Sequence, residues 1–243
     1  MELIRSALCT VFFADDDQVV TLSDIGRIAE LERWAHAAGA EVTHMELASQ
    51  FRCAGSDGYI AWLDKFLGIR ETANADFDRD SFDFRIVDSP VELHALIREK
   101  NKLNNKARVV AGYCWDWKSK KDPHAWDIEI PEHDYKARWN LDKDGSLWII
   151  APDSVEEVGC IHTCQGLELD YVGVIIGPDL VWKDGDPHPV PENRSKMDRA
   201  VRGWKTLTKA DPEGTRQRVD AIVRNTYKTL MSRGVRGCYV FMA

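Results

Sequence analysis

Short apolar runs alternate with amphipathic stretches along most of the chain, which is typical of an α/β layer fold. Apolar runs of four to seven residues predict strands, because a strand buried in a parallel sheet is apolar on both faces. The predicted strands cover residues 9–13, 42–47, 84–87, 108–114, 158–161, 171–176 and 238–242. Residues 147–150 form a further apolar run that we expect to return to the core.

Helical periodicity, together with start and stop signals, predicts helices between these strands. Ser23 or Asp24 caps the first helix and Gly39 ends it. The third helix opens with Pro90 in its first turn, where proline costs no hydrogen bond. The predicted helices cover residues 23–38, 58–67, 90–103 and 218–233.

Two polar stretches interrupt this alternation. Residues 118–145 are rich in charge, Pro, Asp and Trp, lack a sustained period, and are predicted to form a long excursion with at most short elements. Residues 183–216 form a second polar excursion.

The composition is that of an ordinary globular protein. The chain has 243 residues, 44% of them apolar, and 32 Lys and Arg against 40 Asp and Glu give a net charge of −8. These values exclude collagen, low-complexity disorder and a miniature disulfide scaffold. The apolar runs are too short to span a bilayer, and the first ten residues lack the apolar block of a signal peptide. We therefore expect a cytoplasmic protein with no membrane partner.

The six cysteines are scattered rather than set at framework spacings, so we expect reduced thiols. Cys160, His162 and Cys164 lack the fourth ligand that a zinc site normally needs. We expect no metal centre.

Positive charge is concentrated near the C-terminus. Residues 192–228 contain ten Lys or Arg against five acidic residues, a local charge of +5. This asymmetry is compatible with a face that meets a polyanion, although charge alone slightly favours a solvated loop and helix face.

The sequence lacks the loop that usually holds a nucleotide triphosphate. None of its sixteen glycines is followed by lysine, so the pattern G-x-x-x-x-G-K-[ST] is absent. The lysine of that loop neutralises the β- and γ-phosphates. This chain is therefore not expected to bind ATP by itself in the usual way.

Polar residues nevertheless follow two of the apolar runs. Asp15, Asp16, Asp17 and Gln18 come directly after residues 9–13. Carboxylates there can hold Mg²⁺ or its waters, and a glutamine can sense a γ-phosphate. A solvated acidic turn and a metal-dependent hydrolase or nuclease site are the alternatives. Arg52 likewise follows a predicted strand.

Two later segments are more informative. His162-x-x-Gln165-Gly166-Leu167-Glu168 and Tyr227-x-x-Leu230-x-Ser232-Arg233-Gly234 closely resemble the fifth and sixth motifs of superfamily 1 helicases. Residues 15–18 resemble the third motif, and residues 49–52 the fourth. With residues 111–117, the chain resembles the bacterial helicase-like family described as domain of unknown function 2075, or Schlafen group 3.

The resemblance implies an α/β fold of a particular kind. It is a three-layer RecA-like domain with a mainly parallel sheet, helices on both faces and no phosphate loop of its own. Residues 1–22 would be a strand and acidic turn left from a first lobe, and residues 23–243 the second lobe. The first lobe would carry the phosphate loop and the Mg²⁺-binding motif.

The resemblance also implies residue roles around ATP bound with Mg²⁺ between the lobes. Arg233 would be the arginine finger, Arg52 a second γ-phosphate contact and Gln18 the γ-phosphate sensor. The residues expected on the nucleotide side are Glu168, Gly166 and Asp17. The residues expected to face DNA or RNA, as a single strand, are His162, Thr163 and Gln165.

The sequence leaves two alternatives for the role of the chain and two for Trp115 and Trp117. The chain could be the ATPase lobe of a helicase or translocase, or a non-catalytic module derived from such a lobe that binds nucleic acid or protein. Trp115 and Trp117 could stack on bases, but packing beneath the following excursion is the favoured interpretation.

Overall fold

A mainly parallel sheet organises the protein. The computed structural model describes residues 2–24, 27–45, 53, 57–72, 76–140, 148–164 and 166–243. In these ranges a seven-stranded sheet has the order β1-β9-β6-β2-β5-β4-β3, and β7 and β8 form a separate hairpin. The strands are β1 (Asp83–Ile86), β2 (Ala107–Ala111), β3 (Ile128–Ile130), β4 (Tyr135–Trp139), β5 (Glu157–Gly159), β6 (Leu169–Ile176), β7 (Leu180–Lys183), β8 (Asp186–Pro189) and β9 (Gly234–Met242).

The strands from β1 to β4 in this order pair in parallel, and only β3 runs antiparallel, at the edge. The helices are α1 (Glu2–Arg5), α2 (Ile28–Ala37), α3 (Asp57–Phe66), α4 (Pro90–Asn101), α5 (Ile161–Cys164), α6 (Trp204–Ala210) and α7 (Pro212–Met231). The predicted α/β class with a mainly parallel sheet and flanking helices is confirmed.

The alternation of side chains along the central strands places a core on each face of the sheet. Val172 and Val174 of β6 point into the core formed with α3 and α7. Tyr171 and Ile175 point into the opposite core, beneath α4. At Gly173 a Cβ would lie 2.7 Å from Cγ1 of Ile97, so glycine lets α4 approach the sheet closely.

Local signals located the helices well. Helix α3 matches the predicted residues 58–67, and in α4 the Ser89 side chain accepts a hydrogen bond from the Val91 amide at 3.1 Å, as a cap should. Helix α2 starts at Ile28, later than predicted, and Gly39 follows it with φ of +75°. Helix α7 starts earlier than predicted, behind an Asp211 cap.

The strand predicted at residues 9–13 is wrong for this chain. Val11 and Phe13 are 72% and 85% exposed, and these residues pair with no strand among those described. An apolar run needs a neighbouring strand to hydrogen-bond with, and the fold offers none here. Residues 42–45 also lie outside any strand, while residues 46–47 are not among those described.

Among its described residues, 118–140, the first polar excursion contains only short elements, as predicted, but two of them belong to the seven-stranded sheet. It holds β3 and β4, and β4 joins the main sheet beside β5. Tyr135, Ala137 and Trp139 are buried while Lys136 is exposed, so period-two alternation was present within a charged stretch. The second excursion holds the β7–β8 hairpin and α6.

Of the apolar run at residues 147–150, the described residues 148–150 return to the core in part, and residue 147 lies outside the described residues. Trp148 is buried, but Ile150 is exposed in a turn. None of the six cysteines forms a disulfide. The helices described are all too short or too polar to cross a membrane.

Candidate functional site

A cleft forms where the end of α7, helix α3 and the acidic turn at residues 15–18 meet. Its volume is about 250 Å³. Gln18, Asp17 and Arg233 all line it. These three residues were singled out from opposite ends of the chain, and the fold brings them to one place.

Arg233 lines this cleft but is only 2% exposed. Its Nε donates to the carbonyl of Thr229 at 2.9 Å, and its Nη1 to the carbonyl of Leu167 at 3.3 Å. The arginine occupies the tight turn from α7 into β9. A Cβ at Gly234 would overlap the carbonyl of Gly237, so the residue after the arginine must be glycine.

Four charged side chains alternate in sign across the cleft. The Lys228 Nζ lies 2.8 Å from a carboxylate oxygen of Asp17 and 2.6 Å from one of Asp64. The Arg70 Nε lies 3.0 Å from Asp64, and the same guanidinium pairs with Asp17. Asp64 and Lys228 are largely buried, which reduces the screening of these pairs by water. The network ties the acidic turn to α3 and α7.

Sequence reasoning missed three members of this network. Lys228 lies inside the segment that resembles the sixth motif, but the resemblance gave it no role. Asp64 is a buried carboxylate one turn after Ile60 on α3, and that break in an apolar face was a usable signal. Arg70 follows α3 in a loop, where nothing in the sequence distinguished it.

The carboxylates of the acidic turn serve different partners. Asp15 accepts hydrogen bonds from the Asp17 amide at 3.0 Å and from the Gln18 side chain at 2.6 Å. Asp16 accepts from the Ile28 amide at the start of α2 at 3.1 Å. Among the described residues, no three His, Cys, Asp or Glu side chains are placed to hold a metal. This geometry gives no support to the nuclease alternative.

Helix α5 carries two of the residues expected to face nucleic acid. His162 is exposed, and the Thr163 Oγ1 donates to Oδ1 of Asn140 at 2.7 Å. The third, Gln165, lies outside the described residues.

The turn after α5 lies beside Arg233. Gly166 is exposed with φ of +86°, a conformation that favours glycine, and Glu168 is exposed as well. The Leu167 carbonyl between them accepts the hydrogen bond from Arg233. Glu168 therefore lies at the same end of β6 and β9 as the cleft, although it does not line it.

Arg52 lies outside the described residues, together with the rest of residues 49–52. Its neighbour Cys53 is fully buried, and the Cys53 thiol donates to the carbonyl of Ser232 at 3.8 Å. The residue after one predicted arginine thus contacts the residue before the other.

The two tryptophans after β2 pack within the protein. Trp117 is buried against Trp139 with ring centroids 6.4 Å apart, and Trp115 is partly buried against the same core. The Trp115 carbonyl accepts a hydrogen bond from Trp139 Nε1 at 3.2 Å. This arrangement supports the packing interpretation.

Comparison with known proteins agrees with the motifs. The uncharacterized protein YPL245W of Saccharomyces cerevisiae is 27% identical over 209 residues, which cover 80% of this chain. The chain spans only 44% of that relative's length. No solved structure matches this chain. The family described as the Schlafen group 3 DNA/RNA helicase domain matches residues 1–243. This match covers the whole chain, including the acidic turn, Arg233 and the last strand, and the chain therefore belongs to the Schlafen group 3 DNA/RNA helicase domain family.

Proposed function

We propose that this chain is the second, RecA-like lobe of a superfamily 1-type ATPase that couples ATP hydrolysis to binding of DNA or RNA. The observation that carries the proposal is the cleft that Gln18 and Arg233 line together. Residues 1–22 are the part of the chain that would belong with a first lobe, and residues 23–243 form the second.

Three cationic side chains, Arg70, Lys228 and Arg233, line the cleft beside the carboxylates of Asp15, Asp17 and Asp64. Hydrolysis of ATP requires positive charge near the γ-phosphate as negative charge shifts towards the leaving oxygen. Arg233 is the proposed arginine finger, and Gln18 the group that senses the γ-phosphate. Arg52 is the proposed second contact, which the burial of Cys53 against Ser232 supports.

Other residues are assigned more broadly. Glu168 and Gly166, beside Arg233, would lie on the nucleotide side with Asp17. His162, Thr163 and Gln165 would face the nucleic-acid strand or transmit closure of the cleft to it.

ATP would bring its own Mg²⁺, held by the first lobe. The carboxylates of Asp15, Asp16 and Asp17 already accept hydrogen bonds or form ion pairs in different directions, so they do not fit a shared cation site. This chain would supply cationic groups to the phosphates.

The test is ATP turnover by this chain alone and fused to a first lobe that carries a phosphate loop. The chain alone should show none, and the fusion should hydrolyse ATP. Arg233→Ala should lower the turnover number of the fusion by on the order of 10³-fold, and Arg233→Lys should restore little because lysine lacks the planar fork.

Arg236→Ala is the matched control, since that side chain lies three residues later, in β9, is 58% exposed and does not line the cleft. Its turnover should match that of the unmodified fusion. Two results would contradict the proposal. One is Arg233-dependent ATP turnover by the chain alone, and the other is an equal loss of turnover in the Arg233→Ala and Arg236→Ala fusions. A fusion that binds nucleic acid without turnover would favour a non-catalytic module.

A further inference from the structure

A segment rich in exposed lysine and arginine lies outside the cleft. Residues 195–210, here called the basic segment, lie between the β7–β8 hairpin and α7. The cations of this segment recur every three or four residues and are all exposed: Lys196, Arg199, Arg202, Lys205 and Lys209. Within the described chain, none of the five forms an ion pair.

The fold sorts the charges of this segment by sign. Asp198 is its only acidic residue, and its buried carboxylate accepts from Arg194 Nε at 2.6 Å and from the Ala200 amide at 2.8 Å. Arg194 also pairs with buried Asp179 at 3.3 Å. The negative charge therefore points inward and is paired there, while every outward ionisable side chain of the segment is positive.

The basic segment is anchored at several points. The Ser195 amide donates to the carbonyl of Tyr113 at 3.0 Å, and the Leu22 amide donates to the carbonyl of Ala200 at 2.7 Å. Val201 is buried against α7. A surface already fixed in this way loses less conformational entropy when a partner binds.

The rest of the molecule has the opposite charge. The segment carries five cations and one acid, a charge of +4, so the remaining residues carry −8 − 4 = −12. A polyanion would be attracted to the segment, while the net negative charge of the rest of the molecule opposes its binding.

From these observations we infer that the basic segment binds the sugar-phosphate backbone of a single-stranded nucleic acid. The choice of a single strand rests on the proposed function. The surface is distinct from His162 and Thr163, which lie on α5.

The test measures binding of fluorescein-labelled single-stranded DNA and RNA oligonucleotides to the purified chain by anisotropy, in a series of salt concentrations. Each phosphate neutralised on a single strand contributes about 0.7 to the slope of log K against log salt. Removing Arg202, Lys205 and Lys209 by alanine substitution should reduce that slope by about 2, and should weaken binding tenfold or more.

Two controls separate this surface from net charge and from misfolding. The triple variant Lys121→Ala, Lys136→Ala and Lys183→Ala removes the same charge from exposed positions elsewhere, and its slope should stay unchanged. The charge-preserving variant Arg202→Lys, Lys205→Arg and Lys209→Arg should bind like the unmodified chain.

Equal losses from the two alanine triples, a flat salt profile, or no binding by the unmodified chain would overturn the inference. Competition by polyglutamate at equal charge concentration would also overturn it, and would indicate an acidic protein partner instead. ATP turnover does not enter this measurement. The inference about the basic segment can therefore be contradicted while Arg233-dependent hydrolysis is observed. Equally, the binding can be observed while hydrolysis is not.

Discussion

At the scale of single residues, Tyr227 shows how one side chain joins the segment resembling the sixth motif to the rest of the fold. Its hydroxyl accepts from the Gly177 amide at 2.9 Å and donates to the buried carboxylate of Asp179. A Cβ at Gly112 would overlap that hydroxyl, so the ring packs directly on the backbone after β2. Burial raises the pKa of Tyr227 well above its usual value, which keeps the hydroxyl protonated as a donor.

Tyr227→Phe should therefore lower the free energy of unfolding by about 1.5–3 kcal/mol, because it leaves a buried carboxylate and a buried amide short of a partner. Urea unfolding followed by circular dichroism measures this. Tyr113→Phe is the control, since Tyr113 is also buried but its hydroxyl makes no hydrogen bond to the described residues. Similar losses from both variants would show that the two hydrogen bonds of the Tyr227 hydroxyl do not cause the loss of stability.

At the scale of elements, His94 connects α4 to the edge of the sheet. Its Nε2 donates to the carbonyl of Val155 at 2.7 Å, and its Nδ1 lies 2.9 Å from the Tyr135 hydroxyl. A carbonyl can only accept, so Nε2 carries the proton of the neutral ring. Burial lowers the pKa of His94 below 6.5 and so favours this neutral form.

This lowered pKa predicts a pH dependence of stability. Below about pH 6.5 the unfolded chain protonates the histidine while the folded chain does not, so the free energy of unfolding falls as pH falls. The loss is at most about 1.4 kcal/mol per pH unit, and it stops below the pKa of the folded state.

Urea unfolding at pH 7.5 and 5.5 should show a smaller difference for His94→Gln than for the unmodified chain. His188→Gln, at an exposed position, should leave the difference unchanged. An unaltered pH response of His94→Gln would mean that the ring binds its proton equally well in the folded and the unfolded chain.

At the scale of the whole molecule, α7 links the cleft to the basic segment. The basic segment packs against its first half through Val201, and the cleft lies at its other end. Its 20 residues span about 30 Å. Three contacts follow one another along α7. Asp17 pairs with Lys228 at the cleft, and the Val19 carbonyl accepts a hydrogen bond from the Asn225 side chain at 3.0 Å. The Leu22 amide then donates to the carbonyl of Ala200 in the basic segment. Residues 17–22 thus run along α7 from the cleft to the basic segment.

The exposed apolar run at residues 9–13 leads to a further prediction. If these residues belong with a first lobe, fusion to that lobe should slow hydrogen exchange of the amides at residues 10–14 by tenfold or more, because they would gain strand partners. Exchange followed by mass spectrometry measures this. Residues 238–242 in β9 are the internal control and should be protected in both proteins. Fast exchange at residues 10–14 in a fusion that hydrolyses ATP would contradict the assignment.

Much of the fold was accessible from local pattern. The cap at Ser89, the glycine after α2 and the continuous apolar run of β6 each act within a few residues, so the sequence located α4, β6 and the end of α2 closely. Apolar character alone failed at residues 9–13, because burial depends on a partner strand elsewhere. It also missed β4, whose alternation lies within a charged stretch.

The candidate site divides in the same way. Short motifs were enough to single out Gln18 and Arg233, since spacing within a motif is a local property. The pairing of Asp17 with Lys228 and Arg70, and the inward orientation of Asp198 beneath an outward row of cations, arise from contacts between segments far apart in the chain. Packing of the helices on the sheet sets those distances, and charge interactions depend on distance and burial. The sequence therefore identified the types of residue in the site. Only the tertiary structure determined which charged side chains pair with one another.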